Sequence, residues 1–162
     1  MLKVRLAILA TVTVGAIAGF ALNPVAASGG DGKHFTLFEH QTEFRVHAAN
    51  PNALSVGDAI GISSDLFTNS GMETNLGHGG VGCVVTSVAR SSGPEAECSF
   101  SVMLAGGQIS TTGLVNIASA TTPGSEFSIP VVGGTGRYKD ARGELLIKVV
   151  NQTDSWDTFN LS

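Results

Sequence analysis

Few side chains in this 162-residue chain have the types and spacing that chemistry needs. The most suggestive are Glu39 and Gln41 in Phe38-Glu39-His40-Gln41. Strand alternation would put both on one face, with Leu37 and Glu43 in phase. If that face lines an interior, burial raises the carboxyl pKa and equips Glu39 as an acid, a base or an electrostatic stabiliser. If it faces water, Glu39 is an ordinary residue of a polar strand. His34, His40, His47 and His78 are scattered, and the plain reading of each is a surface or loop histidine. Their spacing marks no metal site. There is no Gly-x-Ser-x-Gly elbow and no His-Glu-x-x-His helix. Neither a metal nor a cofactor is therefore expected. Cys83 and Cys98 are the only cysteines and belong to no Cys-x-x-Cys motif.

The elements that must position these residues are strands. Eight candidate runs follow one another: His34–His47, Ala59–Phe67, Gly79–Val88, Ala96–Leu104, Gln108–Ala118, Glu126–Val132, Glu144–Asn151 and Ser155–Leu161. Gly, Asn, Pro, Ser and Asp fill the separators, as turns require. Gly106-Gly107 reads as a two-residue hairpin. No later stretch shows a 3.6-residue apolar period. Short, evenly spaced strands give an all-β sandwich or closed barrel, and composition does not choose between them. Cys83 and Cys98 flank Ser91-Ser92-Gly93-Pro94, so a hairpin there would bring them onto adjacent strands as a disulfide, register permitting.

Ahead of the strands lies a segment with Lys3 and Arg5, an apolar run over Leu6–Leu22, and Val25-Ala26-Ala27 suited to cleavage. It reads as a signal peptide over 1–27, with an uncleaved anchor as the rival, and leaves one domain over 28–162. The expected location is secreted or extracytoplasmic, which also suits a disulfide. Losing Lys3 and Arg5 takes the formal charge from −4 to −6. Without a basic footprint, neither nucleic acid nor, after cleavage, a membrane is an expected partner.

One stretch remains, Pro130-Val131-Val132-Gly133-Gly134-Thr135-Gly136-Arg137-Tyr138-Lys139-Asp140-Ala141-Arg142-Gly143-Glu144-Leu145. A nucleotide-binding loop would need a long helix after its glycines, yet a new strand-like run starts about seven residues on. The reading is strand, glycine corner, short turn, strand. This stretch resembles the signature of the allene oxide cyclase and dirigent barrels, and weaker similarity extends over about Phe38 to Leu161.

The resemblance implies an eight-stranded antiparallel β-barrel and a function for it. Phe38-Glu39-His40-Gln41 is similar to the Tyr-Glu-x-Asn of plant cyclases, whose Glu delocalises charge and whose Asn holds a water on the epoxide oxygen. That makes Glu39 a candidate catalytic residue and Gln41 a ligand-binding one. Ser64 takes the position of a cyclase Asn and Asp65 that of a dirigent Asp. An inward Asp65 would protonate or orient a phenolic intermediate, whereas at a strand end it would bond loop amides. Gly82-Cys83 resembles a cyclase strand whose Cys lines the pocket, which would turn the disulfide inward. Val115 stands where cyclases have a pocket Tyr, a departure that argues against allene oxide cyclase activity itself. Arg142 matches a dirigent Arg near the substrate pocket, with Arg137 on the same connector. Each would bind a carboxylate or phenolate, or else pin the connector. The expected function is capture of a small apolar or phenolic ligand, with isomerase-like cyclisation, isomerisation or stereoselective coupling if the barrel is catalytic. Rival expectations are a lipocalin-like carrier and a filled structural barrel at the cell envelope. Assembly as a homotrimer is implied by the family alone.

Overall fold

The computed structural model describes residues 33–50 and 52–162, so the leader expected over 1–27 lies outside the described residues. Eight strands close into one antiparallel barrel in sequence order: β1 (Lys33–His47), β2 (Ala59–Phe67), β3 (Asn75–Ser87), β4 (Glu95–Leu104), β5 (Gly107–Asn116), β6 (Glu126–Gly134), β7 (Gly143–Val149) and β8 (Asp154–Leu161). Closure pairs β1 with β8, Phe35 opposite Phe159, so every strand has two neighbours, although β5 and β6 pair only at Ile109–Thr111. The runs expected from sequence each overlap one of these strands, with ends that differ by up to four residues.

Alternation decides which side chains fill the barrel. On β4, Ala96, Cys98, Phe100 and Val102 are buried while Glu97, Ser99, Ser101 and Met103 are exposed. β2 turns Ile60, Ile62, Ser64 and Leu66 inward. On β1 a bulge between Gln41 and Glu43 inserts Thr42 and resets the phase. Glu43, expected beside Glu39, is therefore exposed, and Phe44, itself 47% exposed, takes the cavity-facing position at the mouth instead.

Two local expectations are corrected. β5 ends at Asn116, and Ile117–Thr121 forms a short helix, α1. Asn116 caps it by accepting from Ser119 N at 3.0 Å, a signal that a one-turn helix gives without any apolar period. The β4–β5 turn consists of Ala105 and Gly106, since Leu104 pairs with Gly107.

The two ends of the barrel differ. At one end Leu66, Ile109, Leu145 and Phe159 are wholly buried, and Phe35 stacks on Phe159 at 5.0 Å. The Gly133–Gly143 connector, with a 3-10 turn at Gly136–Tyr138, covers this end. It lies against the β4–β5 hairpin through Thr135 N to Gln108 O and Arg137 N to Gly106 O, both 2.9 Å. A Cβ on Gly134 or Gly136 would strike backbone of that hairpin, so the glycines serve close approach of two chain segments. The signature stretch is thus the barrel's packed base.

Candidate functional site

The opposite end holds a cavity of about 470 Å³. Ligand pockets commonly fall between roughly 300 and 1,000 Å³. Its walls are mostly apolar, with Ile60, Ile62, Val81, Phe127, Ile129 and Ile147 among them. α1 contributes Ile117, Ala120 and Thr121 at the mouth, and the β7–β8 turn contributes Asn151, Gln152 and Thr153. Glu39 and Gln41 share one face of β1, as strand alternation anticipated, and that face lines the cavity.

Cys83 and Cys98 face each other in register on β3 and β4 and form a disulfide, with Cα atoms 4.1 Å apart. Both line the cavity. Val115 is 8% exposed and also lines it. Ser64 sits opposite Gln41 across β1 and β2, buried beside Phe100 and Gly79, outside the cavity lining. Among the described residues nothing hydrogen-bonds its Oγ.

The structure does not bring the other sequence candidates there. Asp65 alternates with Ser64 and Leu66, so it lies on the outer face, between its register partners His40 and His78. Arg142 and Arg137 belong to the base connector. Arg142 Nη1 donates to Ala141 O at 2.7 Å, and the Arg137 carbonyl accepts from Lys33 Nζ at 2.8 Å. The first contact is local to the connector, and the second, made by the Arg137 backbone, ties it to β1.

The residue that sequence reasoning missed is Asp157. It points inward on β8, in phase with Phe159 and Leu161, and has no solvent exposure. Ser155 Oγ donates to its Oδ1 at 2.8 Å and lies 3.3 Å from Oε2 of Glu39. Burial pushes the Asp157 carboxyl well above its usual range, and the adjacent Glu39 carboxyl adds to the rise. Phase with the apolar β8 residues was the signal that could have revealed it.

A second polar arrangement holds the rim. His40 Nδ1 and Asp154 Oδ1 are 2.6 Å apart, and Asn151 Nδ2 donates to Asp154 Oδ2 at 2.7 Å. Burial opposes ionisation of Asp154, but hydrogen bonds from His40, Asn151 and Thr153 outweigh it and hold the carboxyl below its usual range. This ties the β7–β8 turn to β1. Among the described residues, no three of His, Cys, Asp and Glu are grouped to hold a metal ion.

The site is a one-ended apolar pocket with a small carboxyl–amide–hydroxyl patch on its wall. It can exclude water, fix the shape of an apolar guest and offer a proton acceptor or donor. No curated protein matches this chain. Solved structures do share the fold. A pyocyanin demethylase aligns with a TM-score of 0.65 at 23% identity, over 78% of this chain and 98% of its own. The Diels-Alderase AbmU from Streptomyces koyangensis aligns at 0.63 and 18%, over 82% and 68%. The pterocarpan synthase dirigent protein GePTS1 aligns at 0.57 and 16%, over 80% and 82%. The family described as allene oxide cyclase barrel like domain matches residues 38–161, and with that match across most of its length the chain belongs to this family.

Proposed function

We propose that this barrel takes up a small, largely apolar ligand and steers its cyclisation, isomerisation or coupling, with Glu39 as the group that acts on it. The observation that carries this reading is the apolar cavity with the Glu39 carboxyl and the Gln41 amide on its wall, besides Asp154, Asn151 and Gln152 at the rim. A closed apolar space lowers a barrier mainly by holding the guest in a reactive shape, which needs few catalytic groups. Glu39 then stabilises developing positive charge or moves a proton, and Gln41 orients an oxygen on the ligand. Proteins of the same fold include Diels-Alderases and a pterocarpan synthase dirigent protein, which supports a reaction of this broad kind.

The same proposal places the protein outside the cytoplasm, on the strength of the leader and the cross-strand disulfide, and gives it a trimeric state on family resemblance. Native mass spectrometry of protein purified from its source tests these points together. The expected result is a bound small molecule, a chain starting near Ser28 and three subunits. Glu39→Gln keeps the side chain's shape and removes its charge. It should abolish conversion of the recovered ligand, while Glu39→Leu should hold or raise thermal stability. Unchanged conversion by both variants would remove Glu39 from the chemistry, and no conversion by the parent would show that the barrel is a carrier. Ligand-free protein that takes up no apolar compound would overturn the reading as a whole.

A further inference from the structure

Asp157 has an oxygen that the rest of the barrel does not explain. Oδ1 accepts from Ser155, but among the described residues nothing hydrogen-bonds Oδ2, although the side chain is wholly buried. An ionised carboxylate left in that state is costly. The Ser155 hydroxyl has one hydrogen, and its shorter contact is to Asp157, so it does not also serve Glu39. A proton held by Asp157 and turned toward the adjacent Glu39 carboxylate satisfies both acids at once. Two carboxyl groups in one low-dielectric site do not both ionise readily.

The charge around the pair points the same way. Among the described residues, the groups lining the cavity include no lysine, arginine or histidine. Their acidic members are Glu39 and Asp154, and Asp154 is engaged by His40 at the rim. Inward neighbours of Asp157 on β7 are Leu145, Ile147 and Val149, and those on β1 are Leu37 and Glu39. Glu39 is thus the titratable group facing Asp157, with Ser155 as a polar but non-titrating neighbour.

We propose that Glu39 and Asp157 work as one carboxyl pair holding a single proton, and that the pair fits the cavity to an apolar ligand bearing an amine or phenol and unsuits it to an anionic amphiphile. This deepens the binding reading above and rests on it. Glu39 touches the ligand, and Asp157 is a positioning residue that acts through it. One negative charge shared over the pair accepts a hydrogen bond from an ammonium or phenolic O–H. A ligand carboxylate would meet that charge with no cation beside it.

Two measurements test the proposal. Carbon-13 NMR of the aspartate side-chain carboxyls, assigned with Asp157→Asn, should find Asp157 protonated at pH 7. In Glu39→Gln its titration should move to lower pH, because the neighbouring charge is gone. An ionised Asp157 at pH 7 overturns the pair. Binding titrations with 1-naphthylmethylamine, 1-naphthol and 1-naphthoate should show the first two bound at least about tenfold tighter than the third. Glu39→Gln should erase that preference. Equal binding of amine and carboxylate overturns the ligand assignment. If none of the three enters the cavity, the binding reading fails with it, while the carboxyl resonance still decides the pair.

Discussion

Glu39 on β1 and Asp157 on β8 meet at one hydroxyl, Ser155 Oγ, 3.3 Å from the former and 2.8 Å from the latter. The adjacency follows from barrel closure, which sets Glu39 opposite Ser155 and Leu37 opposite Asp157. Residues more than a hundred positions apart in sequence thus share one polar patch inside an apolar barrel.

This burial makes stability depend on pH. The folded pKa of Asp157 is raised, so its favourable contribution is fully present below the unfolded aspartate value. It is lost as pH climbs from there through the folded value, because the folded state must then ionise a buried acid. Asp157→Asn should therefore exceed the parent in melting temperature at pH 8 and show no such advantage at pH 3. Thermal melts across that range check it, and parallel curves would contradict it.

The rim pair has the opposite sign. Asp154 is held below its usual pKa, so its stabilisation is present above the unfolded value and is lost as pH falls through the folded value. Asp154→Ala removes the partner of both His40 and Asn151. It should cost about 1 kcal/mol at pH 7, as expected for a partly exposed pair. It should also speed ligand release several-fold by freeing the β7–β8 turn, which stopped-flow dissociation would detect.

Reducing the Cys83–Cys98 bridge should lower stability by about 3 kcal/mol, given its separation of 15 residues. For a domain of this size that is a fall of about 10 °C in melting temperature, read with and without reductant. Because both cysteines line the cavity, reduction should also weaken ligand binding.

Gly136 has φ 59°, and a Cβ there would strike the Gly106 carbonyl oxygen. Gly136→Ala should cost about 2–3 kcal/mol from strain and displaced packing. Since the site lies at the other end, ligand selectivity should survive. Denaturant melts and the naphthalene series would show the two effects separately.

The eight strands were legible in the sequence because alternation and turn residues act locally, whereas their closure into a barrel was implied only by the resemblance that the glycine signature carries. Ser64, in phase with Ile62 and Leu66, was equally readable as inward, and the same rule puts Asp65 outside. What was not readable depends on distant pairing. Thr42 carries no mark of a bulge, yet it decides that Phe44 and not Glu43 faces the cavity. Asp157 is in phase with Phe159 and Leu161, which marks it as inward, but the Glu39 carboxyl beside it is set only when β8 closes onto β1. The glycine signature was easy to see, but its position at the packed base depends on which hairpin it meets.

The account turns on where a guest sits. Amide-resolved NMR during a titration with 1-naphthol measures this directly. The predicted result is a set of shifts at Glu39, Gln41, Ile62, Cys83, Val115 and Ile147, with the Gly133–Gly143 connector unmoved. Shifts centred on Arg137 and Arg142, or none anywhere in the barrel, would contradict it.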